Sequence, residues 1–275
     1  MGRHRRVARE IPDREVSRSD GLKTGLRSVS RALDILETLG ASEKELSLTE
    51  ISISTGLHAS TASRFLGALV ERGYLRRNAT SGHFSLGLAT LQLGAKAQSQ
   101  LSWLRDAARP LLQRLARDTQ ETAILALLDR DAGVTVDLVE SPWTVRVISY
   151  VGERIPLYCT GAGKALLAYL PPAQAQKLIN SISFRAFTDN TILDARRLEE
   201  ELEGVRRRGY AVNDEEYETG GRSAAAPVFA PGDIVVAALA ISGPTIRVSR
   251  ETLDEFGLIA KHAASELSRQ LDIAR

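Results

Sequence analysis

The sequence predicts a two-domain α+β protein: an N-terminal winged helix-turn-helix and a C-terminal α/β domain, joined by a linker helix. Three observations predict it. Two short amphipathic helical patterns meet at Gly56 and are followed by a hairpin pattern. The second half alternates apolar strand runs with helical stretches, ending in "DIVVAALAISG", long and apolar enough for a central strand. Basic charge gathers at one end: residues 1–27 hold eight Lys and Arg against four acids, although the whole chain carries only +2.

The 275 residues suit two domains. A hydrophobic fraction of 43% with 5% aromatics implies a core packed by aliphatic side chains. No apolar run reaches the roughly 18–20 residues a bilayer requires, and the Arg-rich start has no apolar signal region. Cys159 is the single cysteine, so it forms no intrachain disulfide, and a cysteine-based zinc site is excluded. The four histidines are scattered without metal-binding spacing. A cytoplasmic protein with no metal and no cofactor is expected, without membrane contact.

Residues 1–24 lack periodicity and read as a disordered basic tail, either touching nucleic acid or simply solvated. Ser28 is the expected cap of a helix that buries Val29, Leu33, Ile35, Leu36 and Leu39 and ends near Gly40. Ser47 or Thr49 caps a second helix carrying Leu48, Ile51 and Ile53, which stops at Gly56. Ser60 or Thr61 caps a third, running to Arg72 with Ala62, Phe65, Leu66, Leu69 and Val70 on its buried side. Counting Leu48 as one, Ser52 falls at five, Gly56 at nine, Leu57 at ten, Ala62 at fifteen and Phe65 at eighteen. This spacing lets one helix lie across the other. It leaves Ala59, Ser60, Thr61, Ser63 and Arg64 exposed, where a recognition helix meets base edges and phosphates in the major groove of double-stranded DNA. Arg64 has the geometry to read guanine. An ordinary helical hairpin with solvated polar residues is the alternative. "YLRRNATSGHFSL" then reads as a wing, with strands at 74–77 and 83–86; Arg76 and Arg77 reach flanking DNA or are solvated. This winged unit is taken as 25–88, with a linker helix at 89–105, a helix opened by Pro110, and the C-terminal domain at 106–275.

In that domain "TAILALLD", "VTVDLVES", "TVRVISYV", "SAAAPVFA" and "DIVVAALAISG" read as strands. Helices are expected at 161–170, at 197–212 with Leu198, Leu202 and Val205 on one face, and at 251–271. The stretch "CTGAGKALLA" invites a phosphate-loop reading. That loop needs G-x-x-x-x-G-K-[ST], but Tyr158 replaces its first glycine and Ala165 its metal-binding hydroxyl. What remains is a helix start whose Gly161 and Ala162 amides can hold a small carboxylate; a tight strand-to-helix turn that binds nothing is the alternative. Cys159 reads as a small buried residue rather than a nucleophile. Asp214, Glu215 and Glu216 read as a solvated or ion-paired turn, with Arg222 paired to a nearby glutamate.

The segments "SVSRALDILETL", "LSLTEISISTGLHASTASRFLGALVERGYLRRN", "HFSLGLATLQLG", "IPLYCTGAGKALLAYLP", "LEEELEGVRRRGYAVNDEEYETGGRSAAAPVF" and "VVAALAISGP" resemble, in order and spacing, IclR-type transcriptional regulators. The resemblance spans about residues 25–271. It implies a GAF-like effector domain that binds a small carboxylate-type metabolite, a homodimer or homotetramer, and repression or activation of a metabolic operon through an operator. It further implies that the 161–162 loop lines the effector pocket together with Asn213, Ser223 and Ser242, and that Val147 and Ile155 form apolar walls. Asn213 and Ser223 as plain loop caps are the alternative. Ala240 stands where some members have serine, and Gly221 where many have an aliphatic residue, which implies a roomier, less polar pocket suited to an aromatic or longer acid. A metabolite-processing enzyme with an accessory nucleic-acid-binding module is the rival reading.

Overall fold

The computed structural model describes residues 24–273. The expected basic tail lies outside them, except Thr24, which opens the first helix. The chain divides between Gln100 and Leu101 into two compact units.

The first unit contains α1 (Thr24–Gly40), α2 (Leu48–Thr55), α3 (Ala59–Glu71), β1 (Leu75–Arg77), β2 (Phe84–Leu86) and α4 (Leu88–Gln100). Ser28 lies inside α1 rather than capping it. Ile35 and Leu39 enter the core, whereas Val29 and Leu33 are exposed. α2 starts with a complete capping box. The Ser47 hydroxyl accepts from Glu50 N, and Glu50 returns a carboxylate to Ser47 N at 2.8 Å. Ile51 is buried, but Ile53 is exposed. Gly56 ends α2 in the left-handed region at φ 66°, a conformation that glycine adopts without a steric penalty. α3 begins at Ala59 after His58, which gives no side-chain cap, so Ser60 and Thr61 lie within the helix instead of capping it. Ala62 and Leu66 are its fully buried residues, while Phe65, Leu69 and Val70 pack partly against the same core. The wing gains a third partner where Leu46 pairs with Phe84 through both backbone bonds.

The second unit contains α5 (Ser102–Thr119), β3 (Thr122–Asp129), β4 (Ala132–Val139), β5 (Arg154–Pro156), α6 (Gly161–Ala168), α7 (Pro172–Ser181), α8 (Ala195–Arg208), β6 (Ala211–Asp214), β7 (Gly221–Ala230), β8 (Ile234–Pro244) and α9 (Arg250–Ile273). Pro110 sits inside α5 rather than opening a helix. It lies on an exposed face of that helix. The helix expected over 197–212 stops at Arg208, where Gly209 turns at φ 84°, and Ala211 and Val212 begin β6 instead.

Six antiparallel strands form one sheet in the order β5-β4-β3-β8-β7-β6, with β8 central as its apolar length implies. α5 and α9 cover one face through Leu112, Leu115, Phe256 and Leu267. α6 and α8 cover the other through Leu166, Leu198, Leu202 and Val205. The expected strand at 144–151 is instead an irregular strap. Side chains take its carbonyls where a neighbouring strand would: Arg247 donates to Val145 O at 2.9 Å and Thr122 to Val147 O at 3.3 Å. Its apolar residues Val145, Ile148 and Tyr150 consequently face solvent.

Two consequences can be measured. Arg247 holds the buried Glu121 carboxylate with two bonds, at 2.5 and 2.9 Å. Arg247→Ala strands that charge and should cost roughly 3–5 kcal/mol in urea unfolding of this unit, partly recovered by adding Glu121→Gln; unchanged stability contradicts the pairing. In the first unit, hydrogen bonds from Lys44 and from the Ser47 amide and hydroxyl pull the exposed Glu50 carboxyl from 4.5 down to about 2. A lowered folded-state pKa adds stability above 4.5 that is lost as pH falls towards 2. Glu50→Gln should flatten that acid limb in helix-monitored unfolding; an unaltered limb assigns it to other groups.

Candidate DNA-binding and effector sites

The exposed face of α3 carries Ala59, Ser60, Ser63 and Arg64, with Thr61 half-buried beside them. Because His58 supplies no cap, the amides of Ala59 and Ser60 are free for an outside acceptor such as a phosphate oxygen. Arg64 leans over the Phe65 ring at 5.8 Å, which stiffens its stem but leaves the guanidinium exposed. The two wing arginines are less free than the sequence suggests. Arg76 faces Glu45 at 3.4 Å, and Arg77 donates to Gly82 O at 3.3 Å while lying over Phe84. Glu45 also accepts from Asn78 at 2.8 Å, and Asn78 closes the turn by accepting from Thr80 N and Ser81 N. Glu45 thus orders the wing, a role that became visible only once the Leu46–Phe84 bridge was folded.

In the second unit the sheet register assembles a polar row. Asn213 on β6 pairs with Ser223 on β7, Ser223 with Ser242 on β8, and Ser242 with Thr122 on β3. All four are buried on the α6 side of the sheet. Three interstrand gaps make the row about 14 Å long. The next row, Ala211, Ala225, Ala240 and Ile124, is small enough for α6 to lie close. α6 begins against the polar row itself: a Cβ on Gly161 would stand 3.0 Å from Ser223 Oγ and 3.5 Å from Ala225 Cβ. Thr160 caps the helix by accepting from Gly163 N at 3.1 Å, so the amides of Gly161 and Ala162 are the ones the helix leaves unpaired. A Cβ on Gly163 would collide with the backbone of Pro156 and Leu157, so only glycine lets the turn fold this tightly.

The structure brings Gly161, Ala162, Asn213, Ser223, Ser242 and Val147 together. Val147 reaches the row from the strap: its Cγ2 is 3.9 Å from where a Gly221 Cβ would stand, and its carbonyl accepts from Thr122. Ile155 is not in register with the row, although Pro156 beside it packs on the Gly163 turn. Ile155 pairs with Gly133, which pairs with Leu128, six residues along β3 from Thr122 and about 20 Å away at strand rise. It packs in the core near Leu166. Thr122 was missed because it opens an apolar run, and only register shows that its hydroxyl joins the row.

The acidic turn is ion-paired. Arg222 bonds Asp214 at 2.6 Å, with Glu215 at 3.7 Å, and Arg250 bonds Asp214 at 2.7 Å. Arg222's principal partner is therefore an aspartate. Glu216 is not solvated: it is buried and accepts from Lys164 Nζ at 2.5 Å. Burial pushes the Glu216 carboxyl up, against the pull of Lys164. Lys164 is therefore committed to a buried carboxylate, unlike a phosphate-loop lysine, which reaches the phosphates of its ligand. Cys159 is fully buried, and desolvation lifts its thiol far above the ordinary range, keeping it protonated and a poor nucleophile. Among the described residues no cluster of metal-ligating side chains forms, and no helix is long and apolar enough to cross a membrane.

Comparison with known proteins agrees with this division. Residues 28–79 match the IclR helix-turn-helix domain, and residues 98–269 match the bacterial transcriptional regulator IclR C-terminal domain. The chain is 35% identical over 244 residues to the HTH-type transcriptional regulator KdgR of Escherichia coli (strain K12), covering 89% of this chain and 92% of that protein. It superposes on the Thermotoga maritima IclR crystal structure with a TM-score of 0.69 and 30% identity, over 90% of this chain and 99% of that one. An IclR homolog from Microbacterium hydrocarbonoxydans, complexed with 4-hydroxybenzoate, shares the fold with a TM-score of 0.74 at 23% identity, over 89% of this chain and 98% of that one. The relatives are regulators rather than enzymes, and the winged helix-turn-helix is a DNA-binding unit. The chain belongs to the IclR family of transcriptional regulators.

Proposed function

We propose that this regulator is ligand-responsive, that its effector is a small organic acid, and that it controls a catabolic operon. The observation that carries the reading is the in-register polar row meeting the uncapped amides of Gly161 and Ala162. The Ser223 hydroxyl, the Asn213 carboxamide and the helix N-terminal amides are donors of the kind a carboxylate needs, whereas Ser242 and Thr122 direct their own hydroxyl hydrogens to Arg222 O and Val147 O. Gly221 borders the row without a side chain, beside Val147 of the strap, and the ligand of the Microbacterium homolog, 4-hydroxybenzoate, is an aromatic acid. Ala59, Ser60, Thr61, Ser63 and Arg64 meet the operator, and Arg76 and Arg77 meet its flanks. The exposed Leu88, Leu91 and Leu93 of α4 support self-association as a homodimer or homotetramer. The acid shifts the population between states of different operator affinity, so acid and DNA affinities are reciprocally linked.

A double dissociation tests this. Operator titrations with and without 4-hydroxybenzoate compare the wild type, Arg64→Ala and Asn213→Ala/Ser223→Ala. Arg64→Ala should lose about 1–3 kcal/mol of specific operator affinity while keeping the acid response. The double variant should keep operator affinity and lose the response. Unchanged sequence preference in the first, or a persisting response in the second, rejects the corresponding site.

A further inference from the structure

Lys164 is the sole charged residue of α6, and it is completely buried. A buried ion pair gives little net stability, because desolvation offsets most of the attraction, and apolar replacements of similar volume commonly fold as well. A lysine here is better explained by what it holds in place.

Its contacts close a ring. Lys164 Nζ bonds Glu216 Oε1 at 2.5 Å, with Glu201 at 3.8 Å. Glu216 N donates to Asn213 Oδ1 at 2.8 Å. Glu216 O accepts from Thr191 Oγ1 at 2.6 Å, which fixes the turn from its other side. Asn213 pairs across the strands with Ser223, and Ser223 abuts Gly161, three residues before Lys164. The ring has a chemical consequence. With Oδ1 occupied by Glu216 N–H, Asn213 offers its Nδ2 hydrogens to a ligand, so it presents donors and reads an acceptor. Glu216 Oε2 is buried without a partner, so Lys164 is what holds that carboxylate in register.

We propose that Lys164 and Glu216 are a buried positioning pair that sets the donor orientation of Asn213 and its distance from the α6 amides, making the site selective for a carboxylate over its uncharged amide. Neither residue touches the ligand. The inference rests on the carboxylate reading of the polar row.

The test uses the full chain and two probes, 4-hydroxybenzoate and 4-hydroxybenzamide, measured by calorimetry beside thermal unfolding and ligand-free operator binding. Lys164→Met/Glu216→Leu removes both charges together, leaving none stranded. Its unfolding midpoint and operator affinity should stay near wild type, while acid affinity falls tenfold or more and the acid-over-amide preference collapses towards one. A purely structural pair would move the unfolding midpoint and leave that preference intact in the folded fraction. Should this variant fail to fold, Lys164→Met/Glu216→Gln preserves the shape of the turn and must show the same loss of preference. Wild-type preference retained in either folded variant overturns the pair's role alone. A wild-type chain that binds neither probe nor other small carboxylic acids overturns the carboxylate reading, and this proposal with it.

Discussion

Strand register is the constraint on which the effector domain depends. Asn213, Ser223, Ser242 and Thr122 come from four separate stretches of sequence, yet they meet because each stands opposite the next. Side chains alternate faces along a strand, so slipping one strand by a single residue would turn its member to the α5 and α9 side. On β6 or β8 the same slip would also place Tyr210 or Val212, or Leu239 or Ile241, where Ala211 and Ala240 now let α6 lie close. Apolar packing and the polar row are therefore fixed by one geometry, and the burial of alanines beneath α6 holds the hydroxyls at its N-terminus.

Both proposed binding faces use helix starts in a similar way. α3 begins without a side-chain cap, and its first amides and hydroxyls face outward. α6 is capped by Thr160 at its third amide, leaving the first two without a partner in the helix. One start is open to solvent and suits the phosphates of a large polyanion; the other is enclosed and suits a small one. The charged side chains follow the same division. Arg64 remains exposed on α3, whereas Lys164, the lysine nearest the effector loop, is neutralised inside by Glu216. An uncompensated lysine beside the row would attract anions indiscriminately; neutralised, it leaves recognition, in the reading proposed above, to directional donors.

Much of this was legible in the sequence. The helix-turn-helix announced itself through Gly56 and its flanking apolar spacing, and β3, β8 and α9 through uninterrupted apolar runs or strong periodicity. What failed has physical causes. Ser60 and Thr61 looked like caps because hydroxyls favour that position, but the helix begins earlier and displays them instead. Residues 144–151 alternate like a strand, yet Arg247 and Thr122 take their carbonyls, a competition between distant residues that no local pattern records. Pro110 usually opens a helix; on an exposed face it is tolerated inside one. Ile155 shares a sequence neighbourhood with the effector loop but is carried away from the row by its pairing with Gly133. The Lys164–Glu216 pair joins positions far apart in sequence, and its only local trace is one charge in an otherwise small and apolar helix.

The central claim is that the row and the α6 start together receive a carboxylate. Nitrogen-15 chemical shifts of the full chain, titrated with an acid that alters operator affinity, address it most directly. The backbone amides of Gly161 and Ala162 and the side-chain amide of Asn213 should move first and furthest, saturating with the same midpoint as the change in operator binding. Shifts that leave these three groups in place while operator affinity still changes would contradict the account.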